Sequence, residues 1–381
     1  MKTKMLISKK KNLIITGLFI VLLFIGIKSN AYGNEKKSIK IALLLDTSNS
    51  MDGLIEQAKS QLWTIVNELS KARCDGEKPD LQIALYEYGN DGLSPKEGYI
   101  RQVIYLTKDL DMVSQKLFEL RTNGGNEFCG QVINSSMDQL EWNASKEDLK
   151  LIFIAGNEPF TQGSVDFRDA CYRARNKDII VNTIYCGDFN EGVRTSWKKG
   201  SDITGGKYMS INQNCKTVYI SSPYDDRISE LNENLNDTYI SYGKLGIKKK
   251  ENQIRQDANA GSISKVNAVK RSVSKASYVY KNESWDLVDA SEQEDFDIKQ
   301  IKDTELPQEM KGMSETDKVK YIESRKIERE QIQKEILALN AMREEYVHKQ
   351  QAEKSKDSVL DDVMLNAIKI QANNKNFVFE N

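Results

Sequence analysis

Histidine is nearly missing from this chain: His348 is the only one in 381 residues. A His-rich zinc site is thereby excluded. So is a Ser-His or Cys-His nucleophile, unless His348 folds back onto it. Net charge is lacking too. The 55 Lys and Arg against 56 Asp and Glu leave a formal charge of −1, whereas phosphate binding wants a basic surplus. Nucleic acid is not the expected partner. No strand-like run leads into a G-x-G-x-x-G loop, which disfavours a dinucleotide site. Cysteine is sparse and odd in number: Cys74, Cys129, Cys171, Cys186 and Cys215. Their spacing matches no metal motif, and an odd count leaves at least one thiol without a partner in the same chain.

What is present begins with a targeting segment. Residues 1–12, MKTKMLISKKKN, are basic, and residues 13–27, LIITGLFIVLLFIGI, are apolar and uncharged. Small residues at 29–31, SNA, follow. This is the layout of a secretory signal peptide over 1–31, cut after Ala31. The alternative is an uncleaved anchor, but the apolar run is ~15 residues against the roughly 20 that span a bilayer. No cysteine sits beside the cut, which argues against a lipid-anchored protein. The remainder is expected to be exported to periplasm, cell envelope or medium. A membrane would be met only through the N-terminal segment, were it retained. In an oxidising compartment one or two disulfides are expected. Cys171 with Cys186 is the first choice, since both lie near the same rim, and Cys129 is the competitor.

The length allows one full domain plus a second region. SIKIALLLD (38–46) is a short continuous apolar run, as in a strand buried on both faces. LIEQAKSQLWTIVNELSKA (54–72) follows with apolar residues at helical spacing. Strands are predicted at 81–89, 99–107, 149–156, 179–187 and 206–211, with 99–107 at an edge. Helices are predicted at 110–120, 130–142, 165–178 and 226–243. Alternating strands and helices imply an α/β fold: a doubly wound, mostly parallel sheet with helices on both faces. Ligands in such sheets bind at the carboxyl ends of the strands, and Asp46 sits at one.

Asp46, Ser48 and Ser50, in DTSNS, are hard oxygen donors at alternate positions in a turn. They suit Mg2+, Mn2+ or Ca2+ rather than zinc or copper. One carboxylate and two hydroxyls leave a dication under-neutralised, with positions open to water or to an acidic side chain from another molecule.

DTSNS after an apolar strand resembles the Asp-x-Ser-x-Ser signature of von Willebrand factor type A domains, which use it in a metal-ion-dependent adhesion site. The resemblance covers roughly residues 38–243. It implies a Rossmann-like fold, a divalent cation, Mg2+ before Mn2+ or Ca2+, and a protein partner whose acidic group completes the coordination. The second family loop normally carries a threonine after a Gly-Gly pair; here RTNGGNEF puts Asn126 there, with Glu127 beside it. The third loop normally carries an aspartate; here LIFIAGNEPF puts Gly156 in its place, followed by Asn157 and Glu158. The resemblance therefore implies metal ligands Asp46, Ser48, Ser50 and Asn126, with Glu127 or Glu158 able to restore the missing charge. The loops at 84–92, 124–130, 155–163 and 185–192 would share one rim, rich in Gly, Asn and acids. The wording of these loops also resembles a group of bacterial envelope proteins with type A domains and no established role.

The C-terminal part differs in kind. Residues 244–313 read as a linker and docking segment: 243–281 is basic and poor in large apolar residues, with a helix or a loose linker both open, and Trp285, Leu287 and Val288 are suited to burial. Residues 314–381 read as an α-helical extension. SETD (314–317) is a capping box opening a helix over 318–350, with Ile332, Ile336, Leu339, Met342 and Tyr346 at helical spacing. A solvated helix with one packed seam is expected, with a dimeric coiled coil as the alternative. A further amphipathic helix is predicted at 358–372.

Three function classes follow. The first is a secreted or envelope-associated binding protein, not an enzyme, that holds an acidic group of a protein partner through a divalent cation. The second is a structural scaffold with a degenerate metal site and a helical assembly arm. The third, weakest, is a metal-dependent hydrolase, for which only Glu127 or Glu158 offers a water activator.

Overall fold

Nine residues, Ser38–Asp46, form the strand β1 at the centre of a six-stranded sheet. A computed structural model describes residues 36–212, 219–351 and 360–380. The expected signal peptide and Cys215 lie outside the described residues. After β1 come α1 (Asp52–Leu69), β2 (Ala72–Cys74), β3 (Asp80–Tyr88), β4 (Ile100–Thr107), α2 (Leu110–Glu119), α3 (Cys129–Gln139) and β5 (Leu149–Gly156). Next are α4 (Phe167–Asn176), β6 (Ile180–Cys186), α5 (Phe189–Arg194), α6 (Trp197–Thr204), β7 (Tyr208–Ile211) and α7 (Asp225–Asp237). The C-terminal part adds α8 (Gly246–Ile263), α9 (Lys265–Ala276), α10 (Leu287–Ala290), α11 (Glu315–Gln351), α12 (Leu360–Asn373) and β8 (Phe377–Phe379).

The sheet order is β4-β3-β1-β5-β6-β7, parallel except for the antiparallel edge strand β4. This is the expected doubly wound arrangement. Side chains alternate along each strand. Ile39, Ile41 and Leu45 enter one core, with α1, α2, α7, α9 and α12; Ala42 and Leu44 enter the other, with α3, α4 and α6. Burial on both faces explains why β1 reads as an unbroken apolar run.

The same alternation corrects the disulfide expectation. Among the described residues Cys74, Cys129, Cys171 and Cys186 are free and buried. Cys171 packs in the core with α3 and α4, whereas Cys186 packs in the opposite one. The two thiols share a rim in the chain's topology but are separated by the sheet. Cys129 instead directs its thiol at the Tyr88 hydroxyl, 3.8 Å away.

From Lys36 onward the described residues form one compact unit. Residues 246–276, within the segment read as a linker, form α8 and α9 and bury Gln253, Gln256, Val269 and Val273. Two of their cations are paired inside the fold: Arg271 with Asp111 and Asp257, and Lys275 with Asp257. Trp285 stacks on Tyr239, and Leu287 and Val288 join a third apolar cluster with Ile322.

On α11 the buried positions include Ile322, Arg329, Ile336 and Arg343, seven residues apart. Arg329 pairs with Asp286 and Asp289, and Arg343 with Asp225. The seam is occupied by α7, α9 and α10 of the same chain. Ser314 caps the helix, its hydroxyl accepting from the Asp317 N–H (3.2 Å). Farther on, β8 pairs antiparallel with β2, and α12 packs on α1. Gln371 of α12 exchanges two amide hydrogen bonds with Asn182 of β6, at 2.7 and 3.1 Å.

Candidate metal centre at the strand ends

The carboxyl ends of β1 and β5 adjoin at Leu45 and Ala155. Chain order runs outward from β1 in both directions, so a crevice opens there. Beyond Asp46 the ladder ends in a local turn. Asp46 Oδ1 accepts from the Ser48 N–H (2.7 Å), which stops the strand and folds the chain back toward α1. That turn aligns the two hydroxyls: Ser48 Oγ and Ser50 Oγ are 3.1 Å apart. Asp46 and Ser48 are buried and Ser50 is exposed. Ser50 is also held from the third loop, accepting from Asn157 Nδ2 (3.2 Å). The first loop thus converges as its spacing suggested.

The second loop contributes a residue other than the one chosen from the sequence. Asn126 is exposed, and none of the described hydrogen bonds joins its side chain to Asp46, Ser48 or Ser50. Its neighbour Glu127 is buried and lays its carboxyl group against the Asp46 carboxyl and the Ser48 hydroxyl. The Glu127 N–H donates to Gln162 Oε1 (2.8 Å), which turns the side chain inward. Glu158 is exposed; its backbone N–H faces the Glu127 carboxyl, and its carbonyl accepts from Trp197 Nε1 (2.8 Å).

The third loop has no room for an acid. A Cβ on Gly156 would lie 2.5 Å from the Tyr88 hydroxyl and 3.1 Å from Asp46 Oδ2. Tyr88, fully buried and donating to the Ala155 carbonyl (2.8 Å), fills that space. Gly89 is under a similar constraint: its φ is +78°, and a Cβ there would meet Asp46 Oδ1 at 2.7 Å. Tyr88 went unnoticed in the sequence because a buried strand tyrosine looks like any core residue. The strand register, which sets Tyr88 opposite Asp46, is what marks it.

The electrostatics are those of two acids sharing a small volume. Burial, then contact with Glu127, pushes the Asp46 carboxyl well above the usual carboxylate range. Burial likewise raises Glu127. Asp46 Oδ2 and Glu127 Oε2 are both buried without a hydrogen-bond partner. Such a pair is satisfied by a proton between the oxygens or by a cation. Among the described residues no three His, Cys, Asp or Glu side chains gather as a metal cage. The donor set here is two acids and two hydroxyls, all hard oxygens, which fits a small divalent ion.

Residues 40–199 match the family model of the von Willebrand factor type A domain. No curated protein matches the chain. Similar solved structures include BatB from Bacteroides thetaiotaomicron, at 14% identity and TM-score 0.35, covering 46% of this chain and 90% of that one. The SpRpn10 type A domain is similar at 14% identity and TM-score 0.35, covering 46% and 88%. An aerotolerance-related membrane protein from Bacteroides fragilis is similar at 14% identity and TM-score 0.32, covering 46% and 94%. The chain carries a von Willebrand factor type A domain over residues 40–199.

Proposed function

We propose that this type A domain is the binding face of an exported protein, and that it grips a protein partner through a divalent cation. Type A domains are generally interaction and adhesion modules. The observation that carries the reading is the pair of orphaned oxygens, Asp46 Oδ2 and Glu127 Oε2, beside the Ser48 and Ser50 hydroxyls. Asp46, Ser48, Ser50 and Glu127 would hold the ion, with Glu127 in the role first read for Asn126. Glu127 also supplies the second negative charge that Gly156 withholds. The cation, Mg2+ before Mn2+ or Ca2+, would supply a Lewis-acidic anchor for an acidic side chain. With one oxygen from each, the four side chains fill four of the roughly six positions that Mg2+ takes. Water or a partner carboxylate then completes the set on the side where Ser50 is exposed.

A second reading has its own observation. Asn157 bridges to Ser50, and the Asp46–Glu127 pair can be satisfied by one shared proton, so the loops close without an ion. The chain would then be a scaffold. Isothermal titration with Mg2+ and Mn2+ separates the two. Binding that Asp46→Ala removes supports the cation reading; no heat at any concentration up to the millimolar range favours the scaffold.

A further inference from the structure

Helix α8 is built inside out. Its inward face is polar: Gln253 and Gln256 are completely buried, Gln253 donating to the Tyr280 hydroxyl (3.0 Å) and Gln256 accepting from Ser114 (2.9 Å). Lys249 is tied down to Asp109 (2.6 Å). Its outward face carries two of its three isoleucines, while Ile263 is half-buried and Ala260 is buried at the far end. Ile247 is 70% exposed and Ile254 50%, and Leu245, which caps the helix, is 60% exposed. Single exposed aliphatics are ordinary on protein surfaces. A helix that buries its glutamines and presents two of its three isoleucines is not.

The outward face is also basic. Ile247 and Ile254 are two turns apart, on one line about 10 Å long. Lys248 and Arg255 run parallel on the next line, and Lys244 precedes them. All three cations are exposed, and none belongs to an ion pair among the described residues. Glu251 is the one acid on this face within the two turns. An apolar line flanked by a basic line is the pattern of a helix lying in the plane of a membrane interface, with its aliphatics in the acyl boundary and its cations at the headgroups.

We propose that the outer face of α8 is a docking ridge for an anionic lipid surface. The charge complements acidic headgroups. A helix surface is convex, and two aliphatics standing out from it suit a deformable apolar medium better than a shaped protein pocket. This goes beyond contact through residues 13–27 and is independent of the candidate metal centre. No described helix is long and apolar enough to cross a membrane, so the contact is peripheral.

The test uses the chain without residues 1–31, because the described residues from Lys36 onward form a compact unit by themselves. Co-sedimentation compares vesicles of phosphatidylglycerol and phosphatidylcholine with vesicles of phosphatidylcholine alone. The chain is expected to sediment with the anionic vesicles only. Ile247→Asp with Ile254→Asp is expected to cut partitioning by at least about tenfold. Lys248→Ala or Arg255→Ala is expected to cost about fivefold each. If the aspartates disturb the helix, as circular dichroism would show, Ile247→Ser with Ile254→Ser takes their place. Absence of wild-type sedimentation overturns the proposal. So does sedimentation that the isoleucine variants leave unchanged, which would mean a purely electrostatic contact such as an acidic protein or polymer makes.

Discussion

Asp46 and Glu127 bring two carboxyl groups together inside the protein, and each keeps one oxygen that no described donor reaches. They come from loops 81 positions apart in the chain, at the ends of β1 and just before α3. Like charges this close repel unless something positive lies between them. The relationship therefore predicts a response to cations.

Magnesium or manganese should raise the melting temperature, because the folded state alone holds the assembled oxygens. At a cation concentration of 100 times Kd the stabilisation is about 2.7 kcal/mol. Asp46→Ala and Glu127→Ala should each abolish the rise. Asn126→Ala should keep it. Differential scanning fluorimetry with and without chelator reads all four proteins, and an Asn126→Ala chain that has lost the response would return the second loop to its sequence-based assignment.

Restoring the family's third-loop acid should fail. Gly156→Asp drives a Cβ into the Tyr88 hydroxyl, and overpacking of this kind costs about 1–3 kcal/mol. Tyr88→Phe removes the obstructing oxygen. The double variant should therefore be less destabilised than the sum of the two single ones. Urea denaturation of the four-protein cycle measures the coupling; simple additivity would mean that the hydroxyl is not what excludes the acid.

The buried charge cluster behind α1 makes a pH prediction. Burial alone would raise Asp257, but Lys275 and Arg271 outweigh it and hold the carboxyl well below its usual value. A carboxyl lowered on folding adds stability that is present above its unfolded value, about 3.9, and is lost as pH falls through the folded one. Asp257→Asn should cost about 3–5 kcal/mol at pH 7, since it leaves buried cations unpaired. Below pH 4 the gap to wild type should narrow. A gap that is constant from pH 7 to pH 3 would contradict the assignment.

Asp289 makes the opposite prediction. Burial, then the neighbouring Asp286, holds its carboxyl up at about 6, against the pull of Arg329. A raised carboxyl favours the folded state below its unfolded value and loses that contribution as pH rises through about 6. Asp289→Asn should therefore improve relative to wild type between pH 5 and pH 7.5. Chemical denaturation at the two pH values gives the difference, and a relative loss at the higher pH would reverse the sign.

The thiols make a redox prediction. Cys74, Cys129, Cys171 and Cys186 are buried, and burial raises all four thiol values. They should resist a thiol reagent in the folded protein and react on unfolding. Reductant should leave the melting temperature unchanged. A Cys171–Cys186 peptide in a non-reducing map would refute the free-thiol assignment.

Much of the strand and helix pattern was legible because burial on two faces writes itself as continuous apolar runs and 3.6-residue spacing. The turn that gathers Asp46, Ser48 and Ser50 was legible for a related reason: its residues are local, and one turn aims them. The segment at 244–313 was not. Its helices pack through Arg271, Lys275, Gln253 and Gln256, and a polar residue that is buried against a partner looks the same in sequence as one in solvent. The seam of α11 was obscured likewise, since two of its buried positions, Arg329 and Arg343, are arginines.

The sequence by itself determined the strands of the sheet, most of the helices between them, though not α5 and α6, and the rim where a site would lie, because these depend on periodicity and on near neighbours in the chain. Only the tertiary structure decided that Glu127 rather than Asn126 meets Asp46, and that Tyr88 fills the place of the absent acid. It alone separated Cys171 from Cys186 by the sheet, and turned Ile247 and Ile254 outward. The reason is common to all four. Which side chain reaches a point depends on backbone direction and on what already occupies the space, and both are set by residues far away in the chain.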